Sequence, residues 1–136
     1  MSGHRATIPS VTATAPRTAD QALSERLAAG PLEIVPGEHL ARAAGRTLTL
    51  SLRELRLLTE LARRVDRIVS REELFTLVWG REMRPGDRSV DVYVRKLRVK
   101  LARALPDWSF IHTHFGLGYR LAAERQQDAN DGFTSQ

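Results

Sequence analysis

Apolar side chains recur with helical spacing along residues 88–105, RSVDVYVRKLRVKLARAL. Intervals of four, three, four and four residues keep these side chains on one side of an α-helix, which we expect to face a core. The opposite side is expected to face solvent, and there cations flank two bare valines. The predicted buried positions are Val90, Val94, Leu97, Leu101 and Leu105, and the predicted outer positions are Arg88, Val92, Arg95, Lys96, Val99 and Arg103.

Two further helices are predicted upstream, each beginning with a capping box. In this pattern a serine and a glutamate three residues on satisfy exposed backbone N–H groups reciprocally. Ser51 and Glu54 begin the first helix, and Ser70 and Glu73 begin the second, which Gly80 ends. The positions expected to be buried are Leu55, Leu58, Ala62 and Val65 in the first helix and Leu74, Leu77, Val78 and Trp79 in the second.

Short strands are predicted on both sides of the helices. Before them, strand candidates at 32–35, 39–43 and 47–50 alternate with turn residues, which indicates a small antiparallel meander. After them, strands at 108–113 and 119–121 flank a glycine-bearing turn and form a hairpin. Strands, three helices and a closing hairpin in this order predict an α+β fold, a winged helix-turn-helix with an N-terminal antiparallel sheet and a C-terminal β-hairpin wing.

The folded domain is predicted to span residues 31–123. Residues 1–30 are predicted to be a disordered or partly helical tail, because a stretch rich in Ala, Thr and Pro without periodicity buries too little apolar surface to offset the entropy of ordering. Within that tail, residues 20–29 are a candidate for a short helix, which would be marginal in isolation. Residues 124–136 are polar and aperiodic and are predicted to be a second tail.

Composition limits the class of protein. The chain has 136 residues, 42% of them hydrophobic, which suits one small domain. It has no cysteine, hence no disulfide framework and no thiolate zinc site. The N-terminus lacks the apolar segment of a secretory signal, and no apolar run is long enough to span a membrane, so we expect a cytoplasmic protein.

Positive charge is concentrated on the helix at 88–105. Between Arg88 and Arg103 there are six cations and one anion, Asp91, and this net charge equals the +5 of the whole chain. A positive helix about 10–12 Å wide fits the DNA major groove, where Arg and Lys bond guanine edges and a valine can touch a thymine methyl. The alternative is an ordinary solvated basic face, which most runs of charge are.

Four segments together resemble a known family. The segments LSLRELRLLTELA, VSREELFTLVWG, DRSVDVYVRKLRVKL and GLGYRL are similar to the C-terminal DNA-binding domain of OmpR/PhoB-type response regulators. The resemblance covers roughly residues 32–122 and implies a winged helix whose third helix lies in the major groove of double-stranded DNA. It therefore implies a sequence-specific transcriptional regulator of the bacterial nucleoid, with helix 88–105 in the major groove and wing 113–119 near the backbone or minor groove.

The resemblance also implies contact residues, position by position. The matching positions are Arg88, Ser89, Val92, Tyr93, Arg95, Lys96 and Arg98 on the helix and Thr113 at the wing. We hypothesise that Val92 and Lys96 contribute to base reading. Phosphate is expected to be held mainly by Arg88, Tyr93, Arg95 and Arg98. For Arg98 and Lys100 the alternative is a structural role beside the core stripe.

One wing position departs from the family. Where many members carry an arginine that enters the minor groove, this chain has Phe115, between His114 and Gly116. Insertion of a cation at that position is therefore not expected. We count Phe115 among the candidate contacts, because it can stack on a sugar or wedge a base step, although packing against the sheet is the favoured interpretation.

A second departure concerns regulation. The chain has no room for the receiver domain that usually precedes this domain, and because it starts at Met1 we expect an orphan regulator without control by phosphorylation in cis. In the family, the loop that corresponds to 81–87 often meets RNA polymerase, and members commonly pair head to tail on direct repeats. Both contacts are hypotheses for this chain.

Other classes of function fit the residues less well. A winged helix can serve as a protein-interaction module that docks on RNA polymerase or another regulator, but a docking face should be apolar and depleted in Lys. RNA is disfavoured because an A-form major groove is too narrow for a helix.

His112 and His114 alternate on a strand, yet no carboxylate or thiol accompanies them, so no metal is expected. No nucleophile motif or phosphate-binding glycine loop is present, so we predict neither a cofactor nor enzyme activity.

Overall fold

The computed structural model describes residues 25–126. Four short strands come first, then three helices with a two-residue strand between the first and the second, then a hairpin. This is the predicted winged helix-turn-helix order. The elements are β1 (Leu27–Ala29), β2 (Leu32–Val35), a 3₁₀ turn (Pro36–Glu38), β3 (Leu40–Ala43), β4 (Arg46–Thr47), α1 (Leu52–Arg63), β5 (Ile68–Val69), α2 (Arg71–Trp79), α3 (Ser89–Ala104), β6 (Trp108–His114) and β7 (Gly118–Arg125).

The first four strands form an antiparallel sheet in the order β1-β2-β3-β4. Strand β2 buries Leu32, Ile34 and Val35. Its register places Leu32 opposite Ala43 of β3, which is also buried. The predicted meander is therefore confirmed, although β4 is a two-residue strand at 46–47 and does not extend over 47–50.

The predicted helix at 20–29 is wrong where the structure describes it. Residues 27–29 form strand β1, which pairs with β2 in the register Leu27 to Ile34 and Ala29 to Leu32. The edge of a sheet supplies hydrogen bonds and a buried site for Ala29, whereas an isolated helix of this length is marginal. Residues 20–24 lie outside the described residues. The sheet thus begins before the predicted boundary at 31, and β7 likewise extends past 123 to Arg125.

The two predicted capping boxes differ in outcome. At α1, Ser51 Oγ accepts the Glu54 N–H at 3.2 Å and Glu54 Oε1 accepts the Ser51 N–H at 2.8 Å, so this box is complete. At α2, Ser70 Oγ accepts the Glu73 N–H at 3.0 Å, but the reciprocal bond is not formed. The Glu73 carboxylate lies instead 3.7 Å from Arg64 Nε, because an ion pair with a neighbouring residue competes with the cap.

One core lies between the helices and the two sheets. The five predicted apolar positions of helix 88–105 are all buried, so the predicted orientation of α3 is confirmed. Val65 and Leu77, in contrast, were wrongly predicted to be buried. Val65 lies beyond the end of α1, and α2 turns Leu74, Phe75 and Val78 to the core, which leaves Leu77 at the margin of the buried side.

The C-terminal hairpin is joined to the helices through β5. The second sheet has the order β5-β7-β6, so β7 lies between the short strand that follows α1 and its hairpin partner β6. Gly118 begins β7 with φ +145°, and a Cβ at this position would lie 2.1 Å from the Val69 carbonyl oxygen. Only glycine allows this approach, which fixes the base of the hairpin against β5.

Of the helices in the described part of the chain, none is long and apolar enough to cross a membrane.

A partly buried ion pair links α1 to α3. Lys100 Nζ lies 2.7 Å from Glu54 Oε1, and the Glu54 side chain is almost fully buried. Burial raises the pKa of the Glu54 carboxyl, but hydrogen bonds from Lys100 and Ser51 outweigh burial, so this pKa lies below its ordinary value. The structural alternative considered for Lys100 is therefore confirmed.

We expect Lys100→Met to lower the free energy of unfolding by about 1–3 kcal/mol at neutral pH, because it leaves a buried carboxylate without its cation. A carboxyl whose pKa is lowered by folding contributes stability above its unfolded pKa and loses it as the pH falls through the folded pKa. The difference from the wild type should therefore be greatest at neutral pH and shrink at low pH. Denaturant unfolding at a series of pH values measures it.

The matched control is Arg103→Met, which removes a cation from the same helix at an exposed position without an ion pair in residues 25–126. An equal loss of stability in both variants, at all pH values, would contradict a specific role for the Lys100–Glu54 pair.

Candidate nucleic-acid interface

The outer side of α3 is exposed as predicted. Val92 and Val99 are exposed on this side, with 47% and 45% of their surfaces accessible. Arg95 and Arg103 are exposed cations without a hydrogen bond or ion pair to any residue from 25 to 126. This face therefore carries positive charge that the described part of the fold does not neutralise.

The N-terminus of α3 is held by an aspartate. The Asp87 carboxylate accepts the Ser89 N–H at 2.8 Å, and hydrogen bonds from Ser89 hold the pKa of this carboxyl below its ordinary value. Arg88, at the N-cap position, pairs with Asp91 at 3.3 Å. Its side chain is 72% accessible, so this cation is placed at the helix start but stays open to solvent.

Asp91 joins α3 to two other elements. Its Oδ1 accepts a hydrogen bond of 2.5 Å from the Tyr119 hydroxyl in β7 and lies 3.1 Å from Arg71 Nε at the start of α2. Burial and the bond to Asp91 raise the pKa of the Tyr119 phenol, so this side chain is a neutral donor at physiological pH. The one anion in the basic stretch is thus a junction between α2, α3 and the hairpin, which the sequence alone did not reveal.

Arg98 joins α3 to the other hairpin strand. Its Nε and Nη2 donate to the Ile111 carbonyl oxygen at 3.1 and 2.9 Å. Nη2 also donates to Thr113 Oγ1 at 2.5 Å, and the guanidinium lies 5.7 Å from the centre of the Tyr119 ring. The structure therefore brings together the predicted contacts Arg98 and Thr113, and it gives Arg98 the structural role that was weighed as its alternative.

An aromatic cluster supports the middle of α3. The Tyr93 ring meets the edge of Trp79 with centroids 5.7 Å apart, and Trp79 stacks on Phe75 at 4.7 Å. Lys96 Nζ lies 4.7 Å from the centre of the Tyr93 ring. Because this ring is half-buried against α2, it limits the positions that the Lys96 ammonium can take on the outer side.

The hairpin tip is apolar and exposed. Phe115 is 91% accessible and Leu117 is 62% accessible. The favoured expectation that Phe115 packs against the sheet is therefore wrong. The reason lies in the turn: the His114 carbonyl oxygen accepts the Leu117 N–H at 2.8 Å, and this closure leaves Phe115 at the outer corner.

The two histidines of β6 have protein partners. His112 Nε2 lies 2.8 Å from the Ala122 carbonyl oxygen, and His114 Nε2 accepts a hydrogen bond of 3.1 Å from Arg120 Nε. Within residues 25–126, no group of three or more His, Cys, Asp or Glu side chains could hold a metal ion. These rings are accordingly part of the strand surface.

The domain is similar to known proteins in sequence. Residues 45–121 match the family described as "Transcriptional regulatory protein, C terminal". The sensory transduction protein RegX3 of Mycobacterium tuberculosis is 34% identical over 95 residues, which are 70% of this chain and 42% of RegX3. The chain thus spans less than half the length of this curated relative.

Two solved structures are similar over most of the described residues. The DNA-binding domain of CpxR from E. coli has a TM-score of 0.64 at 34% identity, and the match covers 73% of this chain and 97% of that domain. The RstA DNA-binding domain of Klebsiella pneumoniae, solved in complex with the RstA box, has a TM-score of 0.65 at 31% identity, with 72% and 97% covered.

With the family match spanning 45–121 and the sheet, three helices and hairpin of these domains all present, the chain belongs to the family of OmpR/PhoB-type C-terminal DNA-binding domains of transcriptional regulatory proteins.

Proposed function

We propose that this domain binds double-stranded DNA in a sequence-specific manner and acts as a bacterial transcriptional regulator, with α3 in the major groove. The observation that carries the proposal is the outer side of α3, where exposed cations flank two exposed valines and where Arg95 and Arg103 have no partner among the described residues. Phosphates neutralise such cations, and the release of counterions from DNA favours the complex. The complex of RstA with the RstA box gives a relative of the same fold on its DNA.

Within this proposal some candidate residues contact base edges and the others contact the DNA backbone. Val92 and Lys96 lie on the outer side of α3, where a helix in the groove meets base edges: valine can contact a thymine methyl and lysine can bond guanine. The Lys96 ammonium lies 4.7 Å from the centre of the Tyr93 ring, which limits its positions on this side. Phosphate and sugar contacts are proposed for Arg88, Ser89, Tyr93, Arg95, Arg98 and Thr113. For Phe115, at the tip of the wing, the proposed contact is with a sugar or a base step.

Arg98 reaches phosphate in this proposal without giving up its structural bonds. Its Nε and Nη2 are engaged with Ile111 and Thr113, whereas Nη1 has no partner among the described residues. A phosphate oxygen can therefore bind at Nη1 while the bonds to β6 persist. Arg98 would then position the wing and contact the backbone together.

A protein-docking module is the competing function. Docking surfaces are enriched in aromatic residues at their centre and depleted in Lys, whereas the exposed side of α3 is cationic. We therefore assign the α3 face to DNA, and we assign no catalytic step or cofactor to it. The proposal places the protein at the bacterial nucleoid, in the cytoplasm.

Two protein contacts extend the proposal. The loop at 81–87 joins α2 to α3 and is largely exposed, and we propose that it meets RNA polymerase while α3 is on DNA. We also propose that two copies bind direct repeats head to tail and are monomeric free in solution. The 81–87 loop precedes α3 in the chain, so a polymerase contact there leaves the outer side of α3 free for DNA.

Selection from a pool of random duplexes, at two salt concentrations, tests the central proposal. We expect an enriched motif, in two direct half-sites, and a slope of log K against log salt of about −4.5 for about five phosphate contacts per domain. Binding without an enriched motif would contradict sequence-specific recognition. No binding at low salt would contradict the DNA proposal and favour protein docking.

Lys96→Ala and Arg95→Ala should affect binding differently. Loss of Lys96 should reduce discrimination against sites altered at one base pair by about 1–3 kcal/mol, because a base contact is removed. Loss of Arg95 should weaken all sites alike and reduce the salt slope by about 1, because a phosphate contact is removed. Binding titrations of both variants on the selected site and on single-base variants measure this. Equal weakening of all sites by Lys96→Ala would contradict its assignment.

The polymerase contact is tested by Glu82→Ala combined with Arg84→Ala. Both side chains are exposed in the loop before α3. We expect DNA affinity within twofold of the wild type and transcription from a cognate promoter reduced to about one third, which corresponds to a loss of about 0.65 kcal/mol of contact energy, within the range of exposed charged contacts. Arg46→Ala, an exposed cation in β4, is the matched control. Unchanged transcription in the loop variant would contradict a contact there.

A further inference from the structure

We propose that Phe115 and Leu117 form an apolar wedge that enters the minor groove next to the site of α3 and partly unstacks one base step. The inference deepens the proposed function and rests on it. The ligand is the apolar surface of a base step and its deoxyriboses in duplex DNA. Sequence-dependent stiffness of that step would then add a form of recognition that the α3 face does not supply.

The tip presents these two side chains in a fixed geometry. The turn from His114 to Leu117 is closed by a backbone hydrogen bond of 2.8 Å, and Gly116 at its third position has φ +77°, as a type II turn requires. Gly118 then anchors the chain against the Val69 carbonyl. Because the turn is closed and its base is held, Phe115 and Leu117 project from a preorganised tip, and little ordering entropy is lost on insertion.

Both ends of the tip are tied to α3. On the incoming strand, Thr113 accepts a hydrogen bond from Arg98, and on the outgoing strand Tyr119 donates one to Asp91. The tip residues and the α3 residue Asp91 line the same cleft. A duplex seated on the N-terminal half of α3 would therefore meet the tip on its adjacent groove, without a rearrangement of the hairpin.

The charges around the tip favour DNA as the occupant. Arg88 is an accessible cation at the start of α3, and Arg71 and Arg120 lie nearby at the start of α2 and on β7. The tip itself, from 115 to 118, contains no cation that could read the minor groove electrostatically. The hairpin thus has cations near its base and a phenylalanine and a leucine at its tip. Proteins that unstack base steps from the minor groove insert apolar side chains of this kind and use cations for the surrounding contacts.

The size of the apolar patch also separates DNA from a protein partner. Two neighbouring side chains are too few for the apolar centre of a standard protein interface, which takes about 800 Å² from each partner. They are enough for a wedge, since insertion between bases needs one or two apolar side chains. Flexible pyrimidine–purine steps cost least to open, so the step under the tip is expected to be TA or CA/TG.

Fluorescence of 2-aminopurine tests the wedge directly. The full chain would be titrated with the selected duplex carrying the probe at successive positions beside the motif. With the wild type, we expect increased emission at one step only, which reports unstacking there. Phe115→Ala should abolish the increase and weaken binding about tenfold, with an unchanged salt slope because no phosphate contact is lost.

Three further measurements serve as controls for the fluorescence experiment. Leu52→Ala, an exposed leucine on α1 far along the chain from the hairpin, is the matched control and should leave emission and affinity unchanged. Phe115→Arg should keep affinity through charge, steepen the salt slope and lose the emission increase. Thermal unfolding should show that Phe115→Ala folds normally, because the ring has almost no internal contact.

Two results would overturn the wedge. If the wild type binds its motif and Phe115→Ala keeps full affinity and the same emission profile, the wedge is wrong while the DNA-binding proposal stands. If the wild type binds no duplex at all, both fail together. A loss of transcription in Phe115→Ala with unaltered DNA binding would also overturn the wedge, and would assign the tip to a protein.

Discussion

The arrangement of α3 relative to α2 and the hairpin depends on the polar contacts of Asp91. This carboxylate lies on α3 among cations. It accepts a hydrogen bond from the Tyr119 hydroxyl in β7 and forms an ion pair with the Arg71 guanidinium in α2. Charge-assisted hydrogen bonds of this kind are stronger than neutral ones and fix direction as well as distance. Together with the bonds from Arg98 to Ile111 and Thr113, they make α3 and the hairpin one surface. These bonds add directional contacts to the apolar packing that already holds α3 against the hairpin.

The core determines which side of α3 is left for a ligand. Its five apolar positions fill the space between α1, α2 and the hairpin, so the remaining arc has to face outward. The sequence places most cations of that helix on the outward arc and only Lys100 toward α1, where buried Glu54 neutralises it. The same helical period therefore sets both the packing and the charged face, and this face is the part of the structure that supports DNA binding.

The sequence predicted the parts of the fold that depend on local patterns. Neighbouring residues determine the helical period of α3, the capping box at Ser51 and the meander through β2 and β3. Prediction from the sequence failed where the structure of a segment depends on a pairing partner outside that segment. Strand β1 forms because an edge of β2 is available to it, a pairing that residues 20–29 alone do not reveal.

The same distinction holds for the site. The nine candidate contacts could be named from one helix and from a resemblance, and the structure brings the helix and wing members to neighbouring elements. The partners of Arg98 lie 13 and 15 residues away, and Tyr119 lies 28 residues from Asp91, so no local spacing indicates these bonds. The exposure of Phe115 depends on the geometry of the turn that contains Gly116. The amino-acid types in the turn do not reveal this geometry.

Hydroxyl-radical footprinting of the selected duplex tests most directly whether α3 and the wing act as one DNA-facing surface. We expect two protected patches at a constant separation, one across the major groove read by α3 and one on the adjacent minor groove below the tip. In Arg98→Met, which lacks the bonds to β6, the minor-groove patch should fade while the first persists. Protection of the major-groove patch alone by the wild-type protein would contradict the account.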